Sequence, residues 1–522
     1  MKVLIYNWVQ FDDARLAGGG VTVYLRNVIE ELLRREDVTV YFLSSGKHYR
    51  AFRRKPRIVP SSNAYGHDRL KTFTLLNSPI KAPAHDAFFS IDQWREDDVC
   101  SGLIANFIRE HGPFDALHIH NLEGIGTKVL TLPKGPDLAR LFYTFHNYVP
   151  LCPQIELLYN GREPCLDFRD GSRCIGCLGH DNQMHDLVAW ARAASVVDIS
   201  GLAGHPLGGF LFDMLAAAIH LYKAVRNLVI DIRHGFATKF RHWHLRPKQG
   251  SGERLGWRKQ AGTPAPKVIP LNRRAGEADA YKLWRETNAW ALATQADGLF
   301  AVSDLARDTA QRLMPAGRRI ETLLLPIDVD PDPASVAGLR SRRALAKDVT
   351  LSFVGYDIAS KGLPFMIDAL ADLNDPYYRK QVNLLVVARL GAQRTRQLVQ
   401  LERQFKSVRV VPSYRRDQLE DLSGLIDLNV VPSIWWETFN QVTVELGRLG
   451  VASLVSSTVG AKQTIHDHDS FVFKSGDAAD FRKKLDQLVK NPNLRARYFD
   501  QPLAIPTIRE HVDLLLERYA SG

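Results

Sequence analysis

Short apolar runs closed by glycine, proline or serine, each followed by apolar positions at helical spacing, recur along this chain. Lys2 to Trp8 reads as a buried strand, VTVYLRNVIEELLRR from Val21 has helical spacing, and Val38 to Leu43 predicts a second strand. Gly18-Gly19-Gly20 lies between the first strand and the helix, so flexible backbone falls where a ligand approaches a βαβ unit; a plain turn is the simpler alternative. Mixed charges and scattered prolines over residues 47–100 predict loops with short elements. Ala116 to Asn121 and Leu141 to His146 predict further parallel strands, the former with His118 and His120 on one face. From Leu207 to Arg233 the pattern is helical, with Leu211, Met214, Leu215, Ala218, Leu221, Val225, Leu228 and Ile232 on one stripe. Gln249 to Gly276, rich in glycine, proline and arginine, predicts a mobile stretch; Tyr281 to Gln295 predicts a helix and Asp297 to Ser303 a strand.

A hinge is expected at Leu323 to Asp330, where Pro326, Pro331 and Pro333 fall close together. Beyond it the strand–helix alternation begins again. Val349 to Gly355 is a strand, Lys361-Gly362 opens a helix, and strands follow at Val382 to Val387, Val408 to Val411, Leu428 to Val431 and Ser453 to Ser456. A final helix, Ile508 to Tyr519, is expected to cross back to the first half. The most informative stretch is VVPSIWWETFNQVTVEL, Val430 to Leu446: a strand ending at Pro432-Ser433, an aromatic loop, Glu437 at a helix mouth, and Glu445 about 12 Å further along the axis. Ligands of open α/β sheets bind outside the carboxyl ends of strands. A carboxylate there would repel phosphate, so Glu437 suits sugar hydroxyls and Glu445 a ribose. A solvated pair of helical carboxylates is the bland reading.

Glu437-x7-Glu445, after a strand ending in Pro-Ser and with Thr438, Phe439 and Asn440 between, resembles the signature of family-4-type retaining glycosyltransferases, the glycosyl transferases group 1, of the GT-B fold. The resemblance implies an α/β protein of two doubly wound, Rossmann-like domains facing a cleft. Residues 1–325 would form the acceptor-side domain, with a Cys-rich loop at 150–180 and a helical, basic insertion at 200–280. Residues 326–505 would bind the nucleotide sugar, and 506–522 would cross back. It further implies a catalytic group of Glu437, His146 and Lys361, and a donor site of Gly19, Gly20, Gly355, Lys361, Glu437, Thr438, Phe439, Asn440 and Glu445. His118 and His120 would face the acceptor side. The family commonly has an arginine directly after the strand glycine; here that position is Tyr356, which puts diphosphate anchoring in question unless Arg389 or Arg415 compensates.

Five cysteines add a separate feature. Four fall in Cys152-x12-Cys165-x8-Cys174-x2-Cys177, a spacing suited to one structural zinc ion, with incidental thiols and two disulfides as the alternatives. The first residues lack the apolar run of a signal peptide and no run is long enough to span a membrane, so the expected location is the cytoplasm, which argues against disulfides. At 522 residues the chain exceeds one core. The net charge of +11 is uneven: residues 209–259 hold ten Lys or Arg against three Asp or Glu. With Phe240, Trp243 and Trp257 among the cations Arg233, Lys239, Arg241, Arg246, Lys248, Arg258 and Lys259, the stretch 207–259 is expected to lie peripherally on the cytoplasmic membrane face; a helix packed on the domain is the alternative. No nucleic-acid recognition motif accompanies this charge. The expected partners are a UDP- or GDP-type nucleotide sugar and a sugar or lipid-linked acceptor, as in polysaccharide or glycolipid assembly, without a catalytic metal. Another GT-B enzyme, such as an epimerase or phosphorylase, and a non-catalytic sugar- or lipid-binding module are the alternatives.

Overall fold

The structure, a computed structural model, describes residues 1–13, 19–63, 65–83, 91–177, 185–200, 202, 207–215, 217–219, 221–222, 225, 271–415, 418–466 and 468–521. Strands β1 (Lys2–Tyr6), β2 (Thr39–Ser45), β3 (Arg57–Pro60), β4 (Leu70–Leu76), β5 (Ala116–Ile119), β6 (Leu141–Phe145), β9 (Gly298–Ala301) and β10 (Glu321–Thr322) form one sheet in the order β10-β9-β6-β5-β1-β2-β4-β3; β7 (Leu158–Tyr159) and β8 (Glu163–Pro164) make a separate hairpin. Only β3 pairs antiparallel in the large sheet. Strands β11 (Val349–Val354), β12 (Val382–Val387), β13 (Ser407–Val411), β14 (Leu428–Val431), β15 (Ala452–Ser456) and β16 (Val472–Phe473) form a second, parallel sheet in the order β13-β12-β11-β14-β15-β16. Read as ranks, that order is 3-2-1-4-5-6, the doubly wound arrangement.

Each sheet reverses its strand order at one crevice: β1 against β5 in the first, β11 against β14 in the second. Strands β5, β6 and β14 are buried at every residue and β11 at all but Thr350, which is why they read as continuous rather than alternating apolar runs. Polar side chains buried among them pair with one another: Ser352 donates to Asn429, 3.0 Å, across the β11/β14 seam.

The two halves are joined twice. The chain crosses once after β10, at Leu323 to Asp332, and returns through the final helix, Ile508–Ser521. That helix lies on the first sheet: Tyr24 bonds His511, 2.9 Å, Arg140 donates to the Tyr519 main-chain oxygen, 2.6 Å, and Arg518 pairs with Glu321, 2.8 Å.

Two stretches differ from the sequence reading. Residues 47–100 supply β3, β4 and the helix Ile91–Arg95, and a second helix begins at Asp98 and runs to His111. In β4, LKTFTLL, Lys71 and two threonines interrupt the apolar run, yet main-chain pairing with β2 places Thr72 and Thr74 in the interior. The helix before β9 begins at Leu271, so the last part of the stretch expected to be mobile is regular structure. The remainder, Gln249 to Pro270, lies outside the described residues, as do Gly18 and the basic and aromatic residues from Arg233 to Lys259. The described residues between 207 and 225 are helical.

Candidate active site in the cleft

The two crevices open onto a common cavity of about 650 Å³, lined from the first half by Gly19, Gly20, Arg26 and His146 and from the second by Gly355, Tyr356, Lys361, Arg389 and residues around Glu437. On the first side the helix Gly20–Leu33 begins at the cavity wall without a side-chain cap, which leaves leading amide groups unpaired by any side chain there. The second half approaches closely here: a Cβ on Gly20 would lie 3.0 Å from Oε1 of the Gln441 side chain, whose amide donates to the Gly20 oxygen at 3.0 Å.

On the second side, β14 delivers Pro432 and Ser433 to the rim, and the turn at Ser360-Lys361-Gly362 rises beside them. Gly362 has φ 76°, and a Cβ there would stand 1.7 Å from the Pro432 oxygen, so only glycine lets the lysine turn close onto β14. Lys361 consequently meets Glu437 in an ion pair and lies 5.2 Å from the Trp435 ring centroid. Ser433 also donates to Glu437, and Asn440 does so at 3.0 Å. Asn440, at φ 84°, caps the helix Gln441–Arg448 through Thr443, so one left-handed residue both starts the helix and orients the carboxylate. Burial by itself raises the Glu437 carboxyl; the Lys361 charge and the three hydrogen bonds outweigh it and hold the group ionised, below the usual glutamate range. Glu445, Thr438 and Phe439 line the same cavity.

His146 follows β6 and reaches the cavity from the first half. Its ring pairs with His120, 3.0 Å, and lies 5.0 Å from that of Tyr24; burial, with His511 adding to it, pushes its pKa down to about 3, so the imidazole is neutral. His118 and His120 are also fully buried and strongly lowered, first by burial. They do not line the cavity: His118 bonds Thr144, 2.8 Å, and Tyr519, and His120 backs His146. The strand turns the His118 ring toward the final helix and sets His120 beside it, against Tyr24 and His146, which the local pattern does not reveal. Arg389 lines the cavity and Arg415 is not among its lining residues. Arg26, Ser433, Trp435 and Gln441 were missed by the sequence reading; Arg26 has no signal beyond its place on the first helix.

Cys152, Cys165, Cys174 and Cys177 are all buried and free of disulfides. Among the described residues no group of three or more His, Cys, Asp or Glu is arranged to hold a metal ion, so the structure lends the expected zinc site no support. A different cation stands among the thiols: buried Arg285 donates to Cys174, Nη2 to Sγ 3.4 Å, and lies 4.4 Å from the Phe168 ring centroid. Burial raises the thiols of Cys165, Cys174 and Cys177, the last to about 12.

Comparison with known proteins agrees with this geometry. Residues 340–501 match the family described as Glycosyl transferases group 1. A search of curated proteins returned no match. Among solved structures, the chain resembles sucrose-phosphate synthase from Thermosynechococcus elongatus at TM-score 0.52 and 14% identity, over 100% of this chain and 96% of that one. It also resembles an α,α-trehalose-phosphate synthase (UDP-forming) from Burkholderia xenovorans in complex with glucose-6-phosphate, at TM-score 0.53 and 11% identity over 100% of both chains. A third, from E. coli and bound with UDP-2-fluoro glucose, gives TM-score 0.51 and 11% identity over 100% of this chain and 99% of that one. The fold is GT-B throughout. Within its second half, residues 340–501 are similar to the glycosyl transferases group 1 family.

Proposed function

We propose that this protein is a retaining glycosyltransferase that moves a sugar from a nucleotide-sugar donor to an acceptor hydroxyl. The observation that carries the reading is the Lys361–Glu437 pair at the second crevice, facing His146 and the uncapped helix start at Gly20. In the front-side mechanism the leaving diphosphate helps to deprotonate the acceptor on the same face, so the protein supplies position and charge rather than a covalent nucleophile. Lys361 is the cation for the departing diphosphate. Glu437, held ionised by its neighbours, accepts sugar hydroxyls once Lys361 turns to the phosphates. His146, neutral and joined to His120 through Nε2, keeps Nδ1 for a hydroxyl of the transferred sugar. Glu445 suits the ribose of the donor. Relatives of the same fold whose names include UDP-2-fluoro glucose and glucose-6-phosphate support a nucleotide sugar and a sugar acceptor.

The acceptor is proposed to be lipid-linked and the enzyme peripheral on the cytoplasmic membrane face, serving polysaccharide or glycolipid assembly. Leu207, Phe210, Met214, Leu221, Tyr222 and Val225 are each more than half exposed, a set that favours an apolar interface over packing on the domain. Among the described residues no helix is long and apolar enough to cross a membrane. The test of the catalytic reading is a thermal-shift screen of nucleoside diphosphates and their sugars followed by turnover with the donor that binds. A ligand at 100 times its Kd adds about 2.7 kcal/mol. Failure of every nucleotide to stabilise the protein overturns the reading.

A further inference from the structure

The loop that leaves β6 does not stay on its own side of the cleft. Tyr148 meets the Trp435 ring edge-on at 6.4 Å, and the main chain then folds back on itself through Cys152 to Tyr148, 2.7 Å, and Tyr148 to Ile155, 3.1 Å. Ile155 and Leu157 both take positive φ, 77° and 52°, conformations that a β-branched or bulky side chain resists and that persist only where surrounding contacts hold them. Between them stands Glu156. Its Oε1 accepts the Ser360 hydroxyl at 2.7 Å, from the opposite half of the molecule, while Gln154 reaches Oε2 at 3.4 Å. Ser360 immediately precedes Lys361, and its main-chain oxygen accepts from Ile434, 2.9 Å, in the loop that carries Glu437. The serine is thus tied on one side to the donor loop and on the other to the first half. Glu156 is also within electrostatic reach of both Lys361 and Glu437, though it does not line the cavity itself. The far end of its loop is fastened independently: Cys165 bonds the Leu157 oxygen at 2.7 Å, and Arg285 reaches both Leu151 and Cys174.

We propose that Glu156 is a positioning residue of the donor site: by holding Ser360 across the cleft it sets where Lys361 meets the diphosphate of a nucleotide, so that the diphosphate subsite is complete only while the cysteine-bearing loop is docked. This rests on the nucleotide-sugar reading given above. Two physical consequences make it specific. The hydrogen bond is to a side-chain oxygen, so glutamine, whose amide oxygen also accepts, retains the position while removing the charge. Glu156 and Ser360 act through one contact, so removing either loses what removing both loses. Burial raises the Glu156 carboxyl, against the opposing pull of Ser360 and Lys361, so its charge is lost earlier on acidification than that of Glu437.

The test is calorimetric titration of UDP, GDP and ADP into the full-length wild-type chain and into Glu156→Ala, Glu156→Gln, Ser360→Ala and the Ala/Ala double variant, each checked for folding by its melting profile. Glu156→Ala and Ser360→Ala are each expected to weaken about tenfold the nucleotide that the wild type binds, the double variant no further than either, and Glu156→Gln by less than about threefold. Should Glu156→Ala fail to fold, Ser360→Ala and Glu156→Gln carry the same comparison. Wild-type affinity in folded Ser360→Ala, or losses that add in the double variant, overturns the inference alone. A wild-type chain that binds none of the three nucleotides overturns it together with the donor-site reading.

Discussion

Thr438 donates its hydroxyl to the main-chain oxygen of His146, 2.8 Å, across the cleft between the two halves. The same residue's own oxygen accepts from Ser303 at 2.5 Å, so the donor loop is held by the first half from two directions. The residue between Glu437 and Phe439 is therefore a fastening between the two halves as well as a wall of the cavity.

Thr438→Val removes the hydroxyl while keeping the shape. A neutral hydrogen bond contributes about 1 kcal/mol net, so nucleotide affinity should fall about fivefold, with Thr438→Ser near wild type. Equal affinities in the valine and wild-type proteins, measured by the same titration, would show that the bond has no part in holding the site together.

Glu437→Gln should cut transfer by about a hundredfold or more while the fold survives, because the amide still accepts from Ser433 but no longer pairs with Lys361 as an anion. Turnover with the true donor, beside a melting profile, checks this. Near-wild-type turnover removes Glu437 from the proposed catalytic group.

Gly362→Ala should be far worse than an ordinary surface change, since φ 76° and the Pro432 oxygen 1.7 Å from the new Cβ oppose it together. The expected result is loss of nucleotide binding with a lowered melting temperature. A variant that melts and binds like the wild type would mean that the lysine turn has room the structure denies it.

Acid should weaken the fold through the histidines. His146 and His511 are held near 3 and 4, mainly by burial, against about 6.5 for a free side chain. The unfolded chain therefore binds more protons between those values, and the stability they contribute is whole above about pH 6.5 and drains away as pH falls toward 4. For His511 alone the loss is about 3 kcal/mol. The melting temperature should drop across that window, and His511→Gln should flatten the drop; a profile level from pH 7 to pH 4.5 would contradict it.

Vesicle co-sedimentation tests the membrane proposal. Binding should need anionic lipid, to which each engaged cation contributes about 1 kcal/mol, weaken with salt, and fall when Phe210, Met214 and Leu221 become serine in a still-folded protein. Sedimentation that is the same with and without vesicles sinks it.

The donor side was legible because its information is local. Gly355, Lys361, Glu437, Asn440 and Glu445 belong to two short strand–turn–helix units, and such units fold as their spacing says. The first half was less legible. Strand β4 carries a lysine and two threonines and earns its place by pairing with β2, a relationship between distant residues that no window of sequence contains. His118 and His120 fell on the face their spacing predicted, yet what covers His118 is Tyr519, some four hundred residues away, and what covers His120 is Tyr24 and His146. The four cysteines have the spacing of a metal site, but the guanidinium among them comes from Arg285, beyond their own loop.

His511 contacts Tyr24 at one ring nitrogen and the Leu324 oxygen at the other, 3.0 Å, so the place where the chain first leaves the N-terminal half and the place where it comes back lie side by side. The two halves of this molecule are thereby tied together at one place, and parting them has to strain both crossings at once and break the bonds made by Thr438, Gln441 and Ser360.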